Sequence, residues 1–340
     1  MAITIAIDAM GGDHGLPVTV PASIDALASN PALRLILVGK EPLLRKALRP
    51  FRHIAARERI VIHHASEVIA MDEPPALALR SRKKASMRLA LELVRDGTAQ
   101  ACISAGNTGA LMAIARFVLK MLPNIDRPAI ATIIPNSKSF SYMLDLGANV
   151  SCDARHLVQF AVMGAILMTA ATGKESPSVG LLNVGHEMIK GHETVREAAE
   201  ILQKSPLNFY GFIEGDDIYK GTTDVVVCDG FVGNITLKAS EGLSRMIEQT
   251  LRQEFTRSLW TKLGGLLARP VLQSFRRRVD YRRYNGASLV GLRGIVVKSH
   301  GSADRFAYAC AIERAYREVH YDMLGRITAK MQEMPNLAYA

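Results

Sequence analysis

Nine short runs rich in β-branched and aliphatic residues recur along this chain, with helical patterns between many of them, and that alternation restricts the fold more than any other feature. The runs lie at 3–8, 35–38, 60–62, 101–104, 130–134, 142–146, 179–182, 225–228 and 295–298. Several are apolar throughout instead of alternating, as strands covered on both faces are. The helical patterns fall at 21–28, 42–48, 76–94, 108–119, 156–171, 192–202 and 234–254. Together they predict an α/β architecture with a mostly parallel, doubly wound sheet and helices on both sides.

A chain of 340 residues, 49% of them hydrophobic, can bury a large core. With no fixed-period repeat, no low-complexity linker and no clean boundary, it reads as one domain over 1–335, with two lobes as a variant. Cys102, Cys152, Cys228 and Cys310 are widely spaced and form no C-x-x-C pair, so neither a disulfide framework nor a zinc site is expected. The first residues run from an apolar strand pattern straight into Gly-Gly-Asp-His, unlike a signal peptide. A cytoplasmic location is the expectation. Residues 157–173 are uncharged, but the segment holds Gln159 and is short for a bilayer, so it is read as a buried helix.

The formal charge of +10 would ordinarily suggest nucleic acid, yet it is concentrated. Between Arg252 and Arg283 stand nine basic residues against Glu254 and Asp280, and the remainder is nearly neutral. A local basic arm is therefore expected, not a nucleic-acid surface.

In open α/β sheets, ligands gather beyond the carboxyl ends of strands, where helix N-termini offer free N–H groups to anions. Five polar loops follow predicted strands. They are Asp8-Ala-Met-Gly11-Gly12-Asp13-His14-Gly, Ser104-Ala-Gly106-Asn107-Thr108-Gly, Asn183-Val-Gly185-His-Glu-Met-Ile-Lys190-Gly, Cys228-Asp229-Gly230-Phe-Val-Gly-Asn234 and Lys298-Ser-His300-Gly301-Ser302. Glycine permits close backbone approach, while Asn, Ser and Thr supply neutral donors and caps. One such loop is ordinary turn chemistry, whereas five at equivalent sheet positions predict a shared anion site.

Several well-known site motifs are missing from the chain. There is no G-x-G-x-x-G, no P-loop, no G-x-S-x-G elbow, and His186-Glu187 with Lys190 is not H-E-x-x-H. No cofactor or metal is expected. Cys102 and Cys228 lie within apolar runs and read as core residues. Lys190 and Lys298 are candidates to clamp an anion, or solvated surface groups. His14 and His300 are candidates for phosphate donation or structural hydrogen bonding. Asp8, Asp13 and Asp229 are read as orienting groups or caps, and Asn107 and Asn234 as caps that double as oxyanion donors.

In this order, the loops around Asp8 and Ser104, Leu144-Asp-Leu-Gly-Ala-Asn, Asp224-Val-Val-Val-Cys-Asp-Gly-Phe-Val-Gly-Asn and Lys298-Ser-His-Gly-Ser resemble the bacterial phosphate acyltransferase family over nearly the whole chain. The resemblance implies transfer of a fatty acyl group from acyl carrier protein to inorganic phosphate, giving acyl phosphate for phospholipid synthesis. It also implies a three-layer α/β/α fold similar to phosphotransacetylases and isocitrate-type dehydrogenases, a homodimer, and loose attachment to the cytoplasmic membrane face. One departure stands out: His186-Glu187 lies where similar members often carry two adjacent acidic residues. An atypical dehydrogenase of the same fold, or a non-catalytic scaffold for acyl carrier protein, are the competing readings.

Phosphate is already anionic and a thiolate is a tolerable leaving group, thiols titrating near about 8.5, so positioning outweighs a strong base. The reading assigns Lys190, Lys298 and His300 to phosphate and Asn107, or backbone near it, to the acyl oxygen, with Asp229 beside them. From Leu251, apolar residues recur every four positions to Phe275, a helical stripe expected to break at Gly264-Gly265 and Pro270 into two pieces. Trp260, Leu263, Leu266 and Leu267, with Arg276, Arg277 and Arg278, predict a helical hairpin within 245–285 for an anionic membrane surface, dimer packing or acidic acyl carrier protein.

Overall fold

The computed structural model describes residues 2–333, without the side chains at 275–279, 281 and 333; the expected domain end at 335 and the side chains of Arg276, Arg277 and Arg278 lie outside the described residues. The strands are β1 (Ile3–Asp8), β2 (Leu33–Gly39), β3 (Ile60–His64), β4 (Ala101–Ser104), β5 (Ala129–Pro135), β6 (Phe140–Leu144), β7 (Ser178–Leu182), β8 (Asn208–Ile213), β9 (Val225–Val227), β10 (Ala287–Val290) and β11 (Ile295–Lys298). They form one sheet in the order β3-β2-β1-β4-β11-β10-β5-β6-β9-β7-β8.

Most neighbours are parallel, but β10 is antiparallel to both β11 and β5, and β5 is antiparallel to β6. The set β1, β2, β3, β4, β11 therefore runs opposite to β6, β7, β8, β9. This corrects the expectation of five loops at equivalent positions: the loops after β1, β4 and β11 leave one edge of the sheet, and those after β7 and β9 leave the other.

Both faces are covered, which is why the strands read as continuous apolar runs. Ala6, Ile36, Val38, Ile130, Met143 and Val226 enter one core with the helices Ser86–Arg95 and Thr108–Leu119. Their neighbours turn to the other face, Ile5 and Ile7 into a core with the helix Arg305–His320, and Tyr142, Leu144 and Val225 into one around the helix Ala154–Thr172. That last helix carries the uncharged segment, and it is a core helix. Asp153 caps its start in a capping box with His156, and Gly173 ends it at φ 76°. Leu157, Phe160, Met163 and Leu167 are buried along it, each contributing about 1.5–3 kcal/mol.

Three sequence expectations need correction. The pattern at 76–94 is two helices, Pro75–Ser81 and Ser86–Arg95, because the chain between them turns to pair Ala85 with Glu67. The strands β8 and β10 went unrecognised. The basic arm is three helices, the end of Gly230–Thr256, then Leu259–Leu267 and Arg269–Val279. It breaks at Ser258, whose side chain caps the second helix, and at Ala268, while Gly264 and Gly265 stay helical. A Cβ on Gly265 would lie 3.0 Å from Phe255 Cδ1, so glycine there lets the two helices close. Pro270 sits in a first turn, where its missing N–H costs nothing.

Gly164 lies where the Ala154–Thr172 helix meets the sheet, and a Cβ there would stand 2.5 Å from Val225 Cγ1 and 2.8 Å from Leu144 Cδ1. Gly164→Ala is expected to lower unfolding free energy by about 1–3 kcal/mol through overpacking, measured by urea denaturation.

Candidate active site

Asp8 ends β1, and its carboxylate is buried. It accepts hydrogen bonds from Ser86 Oγ and Ser104 Oγ, each at 2.6 Å, and from the N–H groups of Met10 and Gly11. Burial pushes its pKa above the ordinary carboxylate value, against the pull of those four donors. One carboxylate thus ties together the ends of β1 and β4 and the start of a helix. The packing admits only glycine at key points. A Cβ on Gly11 would stand 2.6 Å from Asp8 Oδ2 and 2.9 Å from Gly106 N, and one on Gly12 would stand 2.9 Å from Ala105 Cβ. Gly12, at φ 89°, turns the chain so that Asp13 N donates to Gly301 O at 2.9 Å, joining the loops after β1 and β11.

Lys298 ends β11 and is only 9% exposed. Its Nζ donates to Ala105 O at 3.3 Å and to Ser299 O. Burial lowers its pKa to about 8; Asp13 and Asp8 oppose that fall and Lys238 adds to it. Two residues on, His300 Nδ1 accepts from Ser302 N at 3.2 Å, so the neutral ring carries its proton on Nε2. Desolvation, foremost, holds the His300 pKa below the usual imidazole value. Asn285, which sequence reasoning did not single out, fixes this loop: its Oδ1 accepts from His300 N at 3.0 Å, and its Nδ2 donates to Ser299 Oγ and Ala307 O.

These groups head a cleft of about 700 Å³. Asp13, Lys238, Glu241, Lys298 and His300 give it a charged side, and Ile130, Ile134, Leu146, Leu237 and Leu243 an apolar one. Thr108, Asn234, Gly301 and Ser302 also line it. Asp8, Gly11, Gly12, Ser104, Gly106 and Asn107 stand behind the lining. Asn107 is fully engaged, its Oδ1 accepting from Ala110 N at 3.0 Å and its Nδ2 donating to Met71 O and Glu73 O. It caps the Thr108–Leu119 helix, and the bare N–H groups of that first turn remain for a ligand. His14 is exposed and does not line the cleft.

The long helix Gly230–Thr256 brings the opposite edge of the sheet into the same cleft. Asp229 caps it through Val232 N at 2.9 Å. Its first turn presses on Asp145, so closely that a Cβ on Gly233 would stand 1.9 Å from Asp145 O, while one on Gly230 would stand 2.7 Å from Asn149 O. Asp145 is buried and accepts from Ile130 N, Ala148 N and Asn149 N at 2.8, 3.1 and 2.7 Å. From there the helix crosses the sheet, presenting Asn234, Leu237, Lys238 and Glu241 in turn. Lys238 was missed because one lysine in a helix carries no sequence signal.

Lys190, Asn183 and Gly185 are elsewhere within the chain. Asn183 Nδ2 donates to Lys190 O and Gly185 O, closing the loop on itself. Lys190 Nζ pairs with Glu187 Oε1 at 2.8 Å, which raises the lysine pKa and lowers that of the glutamate. His186 lies 3.4 Å from Asp217 and 3.6 Å from Glu214. One chain places Lys298, His300, Thr108 and Asn234 along one cleft, Asn234 inside the Gly230–Thr256 helix and not at its cap as expected, and does not bring Lys190 or Asp229 into it.

A family model described as fatty acid synthesis protein matches residues 3–326. Proteins named phosphate acyltransferase from Methylococcus capsulatus and Chromobacterium violaceum are 56% and 57% identical, covering 97% and 99% of this chain and 97% and 98% of their own. The chain belongs to the phosphate acyltransferase family. As a phosphate acyltransferase family member it is an enzyme, and the fold has relatives among solved structures. A phosphotransacetylase from Streptococcus pyogenes matches 94% of both chains at TM-score 0.63 and 17% identity. A branched-chain phosphotransacylase from Enterococcus faecalis covers 93% of this chain at TM-score 0.54 and 15% identity. At such identities the likeness is one of fold.

Burial that lowers the Lys298 pKa to about 8 predicts a pH dependence. A lowered lysine pKa means the positive charge disappears as pH rises through about 8, so affinity for an anion falls above that value. The alkaline limb of kcat/KM for phosphate is expected near pH 8 and is expected to move well upward in Lys298→Arg, measured by initial rates across pH 6–10.

Proposed function

We propose that the cleft transfers a fatty acyl group from the thioester of acyl carrier protein to inorganic phosphate, giving acyl phosphate for phospholipid synthesis. The observation that carries this reading is the buried Lys298 ammonium beside an apolar wall, in a chain more than half identical to proteins named phosphate acyltransferase. An anion and an alkyl chain need such opposite surroundings side by side.

In the proposed step, a phosphate oxygen attacks the thioester carbonyl carbon, the carbonyl electrons move to oxygen, and their return expels the thiolate. Lys298 and the Gly301 N–H hold the phosphate, the N–H groups of Ser299, His300 and Ser302 being spent on Ser104 O, Asn285 Oδ1 and His300 Nδ1, and the Nε2–H of His300 faces the charge that develops. Phosphate needs no proton removed to attack, and the departing sulfur is stable as a thiolate or takes a proton from water. Holding two reactants in register is the main catalytic work here, worth several orders of magnitude in rate. Asn107 acts through the helix it caps, and Lys190, with Asp229, remains a candidate only at longer range.

The basic arm supports two further parts of the reading: peripheral attachment to an anionic membrane and reception of acidic acyl carrier protein. Trp260 is 83% exposed, and Leu259, Leu263, Leu266 and Leu267 are exposed with it, beside Arg252, Arg257 and Lys262. Apolar side chains flanked by arginines suit the interface of a bilayer. A homodimer belongs to the same proposal, and packing of the arm between its two copies is the competing use of this stripe.

Two experiments test these statements. Thiol release from an acyl carrier protein thioester is expected only with orthophosphate present, and Lys298→Ala is expected to lower it on the order of a hundredfold, more than Lys190→Ala does. Phosphate-independent release would contradict the reaction. Sedimentation with anionic liposomes is expected to pellet the wild type and leave a Trp260→Glu, Leu263→Glu variant in the supernatant; equal pelleting would remove the membrane contact.

A further inference from the structure

We infer that the apolar side of the cleft is a channel for the alkyl chain, running across the sheet beneath the Gly230–Thr256 helix, and that Leu237 sets which chain lengths it accepts. This inference rests on the acyl-transfer reading and goes on to say where the chain lies.

The channel follows from strand order. Lys298 ends β11; next come β10, then Ile130 and Ile134 on β5, then Leu146, whose N–H donates to Ile130 O at 3.1 Å just after β6. Three interstrand steps of roughly 4.8 Å separate the ammonium from Leu146, a path of about 14 Å. An all-trans alkyl chain advances about 1.2 Å per bond, as an extended peptide does over its three bonds per residue. The path therefore holds roughly a dozen carbons extended. Longer chains must bend or emerge beneath the helix.

The walls suit that occupant. Ile130, Ile134 and Leu146 are buried members of one core cluster, and Leu237 packs against that cluster from the helix above. Among the described residues no charged side chain lines this inner part; Lys238 and Glu241 lie further along the helix, toward His300. The far end is bounded by Gly147, at φ 117°, and Asn234, whose Cβ would lie 3.4 Å from a Cβ added to the glycine. A chain entering from Lys298 passes beneath Leu237 before it reaches this end. The other direction opens toward solvent, because the helix is largely exposed beyond residue 242. That open side is where a carrier stays outside while its chain is inside.

Leu237 is the side chain to change, since it hangs from a partly exposed helix and not from a central strand. The test compares kcat/KM for butanoyl and palmitoyl thioesters of acyl carrier protein, with orthophosphate, in wild type, Leu237→Trp and Leu237→Ala. Filling the channel is expected to lower the palmitoyl-to-butanoyl ratio at least about tenfold, the scale on which apolar pockets discriminate chain length. The alanine variant, which widens the channel, is expected not to show that fall. A ratio within about twofold of wild type in Leu237→Trp, or an equal fall in both variants, would overturn the channel while leaving the reaction intact. Wild-type enzyme that releases no thiol from either donor would overturn the acyl-transfer reading and the channel with it.

Discussion

A lysine ammonium held out of water at the end of a strand is the constraint around which the rest of the site is arranged. Burying such a charge is costly unless acceptors and counter-charges surround it. Here Ala105 O and Ser299 O accept from Lys298, while Asp13 and Asp8 oppose the loss of its proton. Asp8 is itself buried and depends on Ser86, Ser104 and two backbone donors. Three loops from adjacent parallel strands are thereby held at fixed separation before any ligand arrives. An anion entering such a site meets donors already oriented, and adds to the counter-charge that Asp13 and Asp8 give the lysine.

The second constraint is the reversal of strand direction at β10 and β6. An entirely parallel sheet would place every loop at one edge, and the cleft would be a rim. With the reversal, the two halves of the sheet point their carboxyl ends in opposite directions, and β5, with Ile130 and Ile134 lining the cleft, lies between them. The Gly230–Thr256 helix bridges the gap, starting against Asp145 at one edge and passing Lys238 and Glu241 near His300 at the other. Polar loops thus flank an apolar floor, an arrangement suited to a reactant with one charged partner and one greasy one.

Much of this was legible in the residues. Strands such as Ile3–Asp8 and Val225–Val227 announced themselves because both faces are buried, and the loop after β11 showed its Lys-Ser-His-Gly-Ser string plainly. The strand β10, four residues long, and β8, whose Asn208, Tyr210 and Gly211 break the apolar run, did not. Strand direction leaves no mark in residue pattern, so the loops after β7 and β9 could not be separated from the other three. Asn285 escaped notice because an asparagine beside a glycine reads as a turn. Asn107 and Asp229 were correctly seen at helix starts, yet their side chains are spent on capping, a competition between structural and catalytic use that only hydrogen-bond partners resolve.

The most direct test of the account is to locate the anion. A crystal structure of the protein grown with orthophosphate should show it within hydrogen-bonding distance of Lys298 Nζ and the Gly301 N–H, at the mouth of the apolar floor. Phosphate bound instead at the Asn183–Lys190 loop, with the ground before Lys298 empty, would contradict it.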